Sequence, residues 1–242
     1  MTTRTRSSFL AVCGVLTFLS ATQAATIMFT TPSGSTQGTD PVSASATFTT
    51  GAGTVTVDLN NLLTTAQMST VAQDLSDLSF TLSGTFATGL VSDSNRTYSG
   101  RLIDIATDGT VTTNTTALYN GWDFSNGGST FLLEDLGSTA GPSQTIIGGS
   151  GNTAYSGAGG SITGNGPHNP FLQGTAHFTL GITGVTSATT VTAAVFSFGT
   201  TTGNNITGGG GNIQSVPEPA TLVLTGLGLL GLGVFGRRLR AR

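Results

Sequence analysis

Apolar and polar residues alternate along the middle of the chain. Residues 42–48 place Val42, Ala44, Ala46 and Phe48 on one side of an extended segment. Residues 54–59 set Val55, Val57 and Leu59 against Thr54, Thr56 and Asp58. Residues 78–86 alternate Leu78, Phe80, Leu82 and Phe86 with Ser and Thr, and residues 175–182 alternate Ala176, Phe178, Leu180 and Ile182 with Thr175, His177, Thr179 and Gly181. A period of two marks strands with one buried and one wet face. Residues 190–200 differ. Val191, Ala193 and Val195 point one way and Ala194, Phe196 and Phe198 the other, which predicts a central strand covered on both sides. Thr, Val and Phe favour strands, and Gly, Asn and Ser clusters punctuate them. The one helix candidate, residues 64–75, is short. The expected fold is all-β, an antiparallel β-sandwich of jelly-roll-like form.

Both ends break this pattern. Residues 1–8 carry Arg4 and Arg6, residues 9–19 are apolar, and small residues Thr22 and Ala24 follow. A basic start, a short apolar stretch and a small-x-small site describe a secretory signal peptide, with cleavage expected between Ala24 and Ala25. Eleven residues are too few for a permanent span, which needs about 20. Cys13, the single cysteine, lies in that stretch. Val12 before it is not small, which argues against a lipoprotein signal. The mature chain then has no thiol for a disulfide, metal or nucleophile.

At the other end, residues 220–236 carry no charge, and Arg237, Arg238, Arg240 and Arg242 follow. Those 17 residues make a helix of roughly 25 Å, a thin fit to a hydrocarbon core of about 30 Å. Arginine after an apolar span marks the cytoplasmic face. Pro217 and Pro219 hold an extended strip just before the span. The glycines Gly226, Gly228 and Gly231 spell GxGxxG but lack the strand–helix context of a dinucleotide site.

The tail resembles the PEP-CTERM sorting signal of Gram-negative bacteria. Val216, Pro217, Glu218, Pro219, the apolar Gly/Leu-rich span and the basic cluster from Arg237 carry the resemblance in fixed order. Residues 164–185 are also similar to a stretch of β-rich exported proteins of this kind. The resemblance implies recognition by an exosortase in the inner membrane, removal of the tail, and delivery to the cell surface or extracellular polysaccharide. The expected organisation is a signal helix at residues 1–24, a β domain at 25–202, a Gly/Asn-rich linker at 203–215 and a sorting tail at 216–242 with a transmembrane helix over 220–236. The partners expected are the Sec translocon, signal peptidase, an exosortase and, transiently, the inner membrane. The alternative to removal is a retained anchor.

Charge then narrows the function of the domain. Charged residues are 8% of the chain, against about 25% in an average soluble domain. Residues 25–215 hold nine aspartates and Glu134 against Arg96 and Arg101, a net charge of −8, and there is no lysine. Nucleic acid is not an expected partner, since phosphate contacts need a basic face. His168 and His177 are nine residues apart, which is no zinc spacing. Residues 148–152 fail the G-x-S-x-G elbow at Asn152. Glu134 with Asp135, and Asp74 with Asp77, read as solvated turn carboxylates rather than a glycosidase pair. No resident metal or cofactor is expected, with calcium on the turns at 93–95 and 104–109 as the alternative. Residues 148–166 read as a mobile glycine-rich loop or wide turn. The expected activity is a non-enzymatic structural or adhesive role in the cell envelope or extracellular matrix. Two alternatives remain open. One is a carbohydrate-binding module for exopolysaccharide, using Tyr119, Asn120, Trp122 and Asp123 around an exposed indole, although a lone tryptophan in a small β domain is more often core. The other is a secreted hydrolase, which needs titratable groups such as Asp104, Asp108, Asp123, His168 and His177 to converge.

Overall fold

The computed structural model describes residues 26–137, 142–201 and 203–214. The expected signal segment, the Ala24/Ala25 cleavage site, the sorting motif and the tail span lie outside them. Fifteen strands follow in order: β1 (Thr26–Thr30), β2 (Thr36–Gln37), β3 (Asp40–Pro41), β4 (Ala44–Gly51), β5 (Thr54–Asn61), β6 (Leu75–Leu82), β7 (Arg96–Ile105), β8 (Val111–Thr113), β9 (Asp123–Gly127), β10 (Thr130–Glu134), β11 (Ile146–Ile147), β12 (Phe171–Gly181), β13 (Val191–Phe198), β14 (Asn205–Thr207) and β15 (Gly209–Gln214).

Thirteen of these form one mixed sheet along the path β14-β13-β6-β11-β12-β5-β4-β1-β15, while β2 and β3 make a separate ribbon. Strands β10 and β9 extend from β6, and β7 and β8 from β12. The all-β expectation holds, but the sheet is not wholly antiparallel, because β11 runs parallel to β12. Alternation sets the register. In β5, Val55, Val57 and Leu59 are buried while Thr54, Thr56 and Asp58 face water. The β4–β5 hairpin turns through Ala52 and Gly53, with Gly53 at a φ of 72° that a side chain would strain.

The main core lies between the run containing β4, β5 and β12 and the run containing β6, β10 and β13. Phe48 of β4 meets Phe80 of β6 at 5.1 Å between ring centres, and Phe80 stacks on Phe131 of β10 at 5.5 Å. A second apolar cluster unites Ile103, Ile105, Ile147 and Phe171 with Leu63, Met68, Tyr155 and Ile162. Tyr155 and Ile162 come from the glycine-rich segment read as a mobile loop or a wide turn. It takes the form of successive turns held to the domain: the Tyr155 hydroxyl donates to the Gly148 carbonyl at 2.7 Å, and the Tyr155 amide to the Gly109 carbonyl at 2.9 Å.

Three further expectations change. The helix candidate at 64–75 forms turns and one 3-10 turn, Val71–Gln73, because polar side chains engage its backbone. The buried Gln73 amide accepts from the Ser69 amide at 2.6 Å and donates to the Pro41 and Gln67 carbonyls. Strand β13 buries Ala194, Phe196 and Phe198, but Ala193 and Val195 are only half covered. The segment read as a linker forms β14 and β15. Strand β14 pairs with β13 and β15 with β1, so one stretch of chain passes from one end of the sheet path to the other. Gly208 sits at the handover. Its amide donates to the Ala194 carbonyl at 2.8 Å, and a Cβ there would stand 3.0 Å from the Phe196 ring and 3.1 Å from Ala194 O. Glycine permits that close approach.

Candidate functional site

An open cleft of about 780 Å³ lies over β7, β8 and β12, inside the roughly 300–1,000 Å³ range of ligand clefts. It is lined by Ser99, Arg101, Thr113, Thr115, Tyr119 and His177 among others. The strands bring these together by cross-pairing: Gln173 lies opposite Arg101, and His177 opposite Ser99 on one side and Asp58 on the other. A bulge between Gln173 and Ala176 opens the surface there. Gly100 fits the bulge, since a Cβ on it would come within 2.8 Å of Leu172 and 2.9 Å of Thr175 O.

The Gly100 carbonyl anchors an aromatic ring from the neighbouring segment. Tyr119 lies across the strand and donates its hydroxyl to the Gly100 carbonyl at 2.6 Å. Its ring stands edge-on to Tyr98 at 5.4 Å and remains 42% exposed. Arg101 crosses the floor. It donates to Gly151 O, Gln173 Oε1 and Asn152 Oδ1, and to Thr113 Oγ1 at 2.9 Å. These acceptors are all neutral. Asn114 is held by Asp104, Thr116 and Ala117, and Thr175 donates to Asn60.

His177 is on the wet face of its strand as expected, with Nδ1 2.7 Å from Asp58 Oδ1 and both side chains more than half exposed. His168 is buried against Phe171, 6.2 Å between ring centres, and burial pushes its pKa down. Among the other groups weighed for hydrolysis, Asp104 bonds Asn114, Asp108 caps Thr110 and Asp123 pairs with Arg96 at 3.5 Å. They do not gather around either histidine.

The predicted sugar-contact set divides. Tyr119 lines the cleft. Trp122 is fully buried, donates its Nε1–H to the Gln144 carbonyl at 2.9 Å and packs edge-on against Phe178. The buried indole counts against the platform as first drawn from sequence. Asn120 accepts from Gln144 Nε2 at 3.3 Å, and Asp123 is engaged with Arg96.

Of the four carboxylates read as solvated, Glu134 is half-buried and the other three are not solvated. Asp74 and Asp135 are fully buried and Asp77 nearly so. Burial and the neighbouring Asp77 and Asp74 push Asp135 up to about 9, and burial pushes Asp77 up to about 6 and Asp74 well above its usual range. Among the described residues, both Asp135 oxygens and Asp74 Oδ1 have no hydrogen-bond partner. The calcium candidates are tied locally: Asp93 Oδ1 accepts the Phe124 amide at 2.6 Å, and Asp108 Oδ1 the Thr110 amide at 3.0 Å. Among the described residues, no three His, Cys, Asp or Glu side chains form a metal-holding group.

Comparison with known proteins bears on the other end of the chain. The family model of the PEP-CTERM protein-sorting motif matches residues 215–241. The tail is a PEP-CTERM sorting motif. It takes in Val216, Pro217, Glu218, Pro219 and the cluster Arg237, Arg238 and Arg240, and it indicates exosortase-targeted sorting to the cell surface. No curated protein and no solved structure matches the chain.

The cleft was not legible in the sequence. Its members come from segments 99–119 and 173–177, and only the β7–β12 register joins them. The glycine at 100, placed inside an otherwise strand-like run, was the one local signal of a close approach.

Proposed function

We propose that the protein is an exported surface protein of the envelope or extracellular matrix with a structural or adhesive, non-enzymatic role. The sorting-motif match at residues 215–241 carries this reading. In it, the signal segment is removed between Ala24 and Ala25, and residues 220–236 hold the chain in the inner membrane with the arginines inside. An exosortase then cuts near residues 216–219. The domain is read as a β-sandwich made by folding the sheet over its own core.

The strand pairing supports this route. Thr26 of β1 lies opposite Gln214 of β15. Both expected processing sites are therefore within a few residues of one strand end. Gln214 and Ala220 are six positions apart, a reach of at most about 20 Å when extended. The folded domain then stands close to the membrane until the cut is made.

Replacing Pro217, Glu218 and Pro219 with alanine tests the reading in the native host. Full-length chain should accumulate in the inner membrane and disappear from the cell surface. Unchanged surface delivery would refute it.

Asp58, His177 and Ser99 form a row across β5, β12 and β7. The row is open to water, with His177 and Asp58 side chains 58% and 55% exposed. A water-exposed row gives little electrostatic stabilisation to a developing charge, which favours binding over catalysis at this face.

A further inference from the structure

We propose that the cleft over β7, β8 and β12 binds a neutral saccharide chain, with the exposed face of Tyr119 as its stacking platform. The inference rests on the proposed placement of the domain at the cell surface only for its biological setting. The binding chemistry stands on the cleft.

The platform comes first. Leu118 and Tyr119 are neighbours and are two of the three large apolar side chains exposed among the described residues. Tyr119 is fixed at both ends, by its bond to Gly100 O and its edge contact with Tyr98. A rigid exposed ring stacks on the C–H face of a sugar at little cost in conformational entropy. The rim supplies the second half of the chemistry. The hydroxyls of Ser99 and Thr115 have no partner among the described residues, and the Thr113 hydroxyl accepts from Arg101 with its own proton free to donate. His177 lines the cleft and engages Asp58 through Nδ1, leaving Nε2 without a partner among the described residues. Hydroxyls donate and accept, as sugar hydroxyls do, and the imidazole nitrogen does one or the other according to its tautomer.

The electrostatics select a neutral ligand. Arg101 is the cation of the cleft, but its guanidinium is already bonded to Gly151, Gln173, Asn152 and Thr113. The segment from 25 to 215 carries a net −8, and Asp58 adds a carboxylate beside His177. Arg101 keeps its charge among these neutral acceptors, but its terminal N–H groups are engaged, so a polyanion would meet the net negative charge of the domain with no free guanidinium donor to hold it. The open form of the cleft admits an internal stretch of polymer and does not require a chain end.

Native affinity electrophoresis tests this. The full chain in detergent, and the processed protein recovered from the host surface, are run through gels containing dextran, galactomannan, xyloglucan or polygalacturonate. At least one neutral polymer should retard the protein, and polygalacturonate should not. Tyr119→Ala should weaken that retardation about tenfold. Leu62→Ala, at an exposed apolar residue outside the cleft lining, should leave it unchanged. Should Tyr119→Ala fail to fold by circular dichroism, Ser99→Leu decides, since it fills the cleft from an exposed strand position. Absence of retardation by all three neutral polymers, retardation by polygalacturonate alone, or unchanged binding in the folded Tyr119 or Ser99 variant overturns the proposal. A chain that binds saccharide but stays in the membrane refutes the sorting reading alone. A sorted chain that binds none refutes the cleft alone.

Discussion

Trp122 shows what a single side chain contributes here. It is the only tryptophan, it is fully buried, and its one polar atom is bonded to Gln144 O. Trp122→Ala should cost about 3–5 kcal/mol in urea unfolding through the cavity it leaves. Trp122→Phe should cost less, since it keeps the ring contact with Phe178 and leaves one carbonyl without a donor. A loss below about 1 kcal/mol for Trp122→Ala would contradict core placement. Asp135 acts through protons. The native state keeps it protonated up to about pH 9 and Asp77 up to about pH 6, whereas the unfolded chain releases both near the ordinary carboxylate value. Native protein therefore binds more protons in between, and stability falls as pH rises from about 4 toward 9. Asp135→Asn should flatten the upper part of that slope, from about pH 6 to 9, in thermal unfolding followed at several pH values. An unchanged slope would mean the carboxyl is not held neutral. The tryptophan's burial follows the general tendency of a lone indole in a small β domain to be core, with polar Asn120 and Asp123 beside it offering the exposed alternative. The carboxyl environments were not readable, because Asp74, Asp77 and Asp135 sit near turns and local composition suggested a wet setting that the tertiary structure removes.

Strands with strict alternation were readable because burial on one face needs only a period of two. β5 follows it along its length, β4 from Ala46, β6 from Leu78 and β12 from Ala176 to Leu180. Glycine-rich segments were not, because glycine lacks a side chain to show which face it takes. Residues 148–166 show only Tyr155 and Ile162 as buried apolar side chains and are otherwise held by polar bonds such as Gly159 N to Ser69 O and Gly164 N to Ile105 O, and residues 205–214 enter the sheet through backbone pairing. Gly208 gives the clearest test at this scale. Gly208→Val places carbon against Phe196, Ala194 and Phe29, the last at 3.3 Å. It should cost about 1–3 kcal/mol of stability by overpacking. A free linker would absorb the same change with no effect on the urea midpoint.

The whole molecule separates an address from a folded cargo. The address was legible because its three parts are contiguous: the Val216–Pro219 motif, the uncharged span and the arginines. Their order survives without knowledge of the fold, and the family match at 215–241 agrees with it. The cleft depends on register between distant strands, which one sequence does not reveal. The two meet at β15, where the last residue paired with β1 stands two positions before Val216. The most direct test is the intact mass of the protein recovered from the surface of its native host, with both termini defined. The account predicts a chain beginning at Ala25 and ending near residues 216–219. A chain beginning at Ala25 but still ending at Arg242 would contradict it, and the tail would then be a permanent anchor.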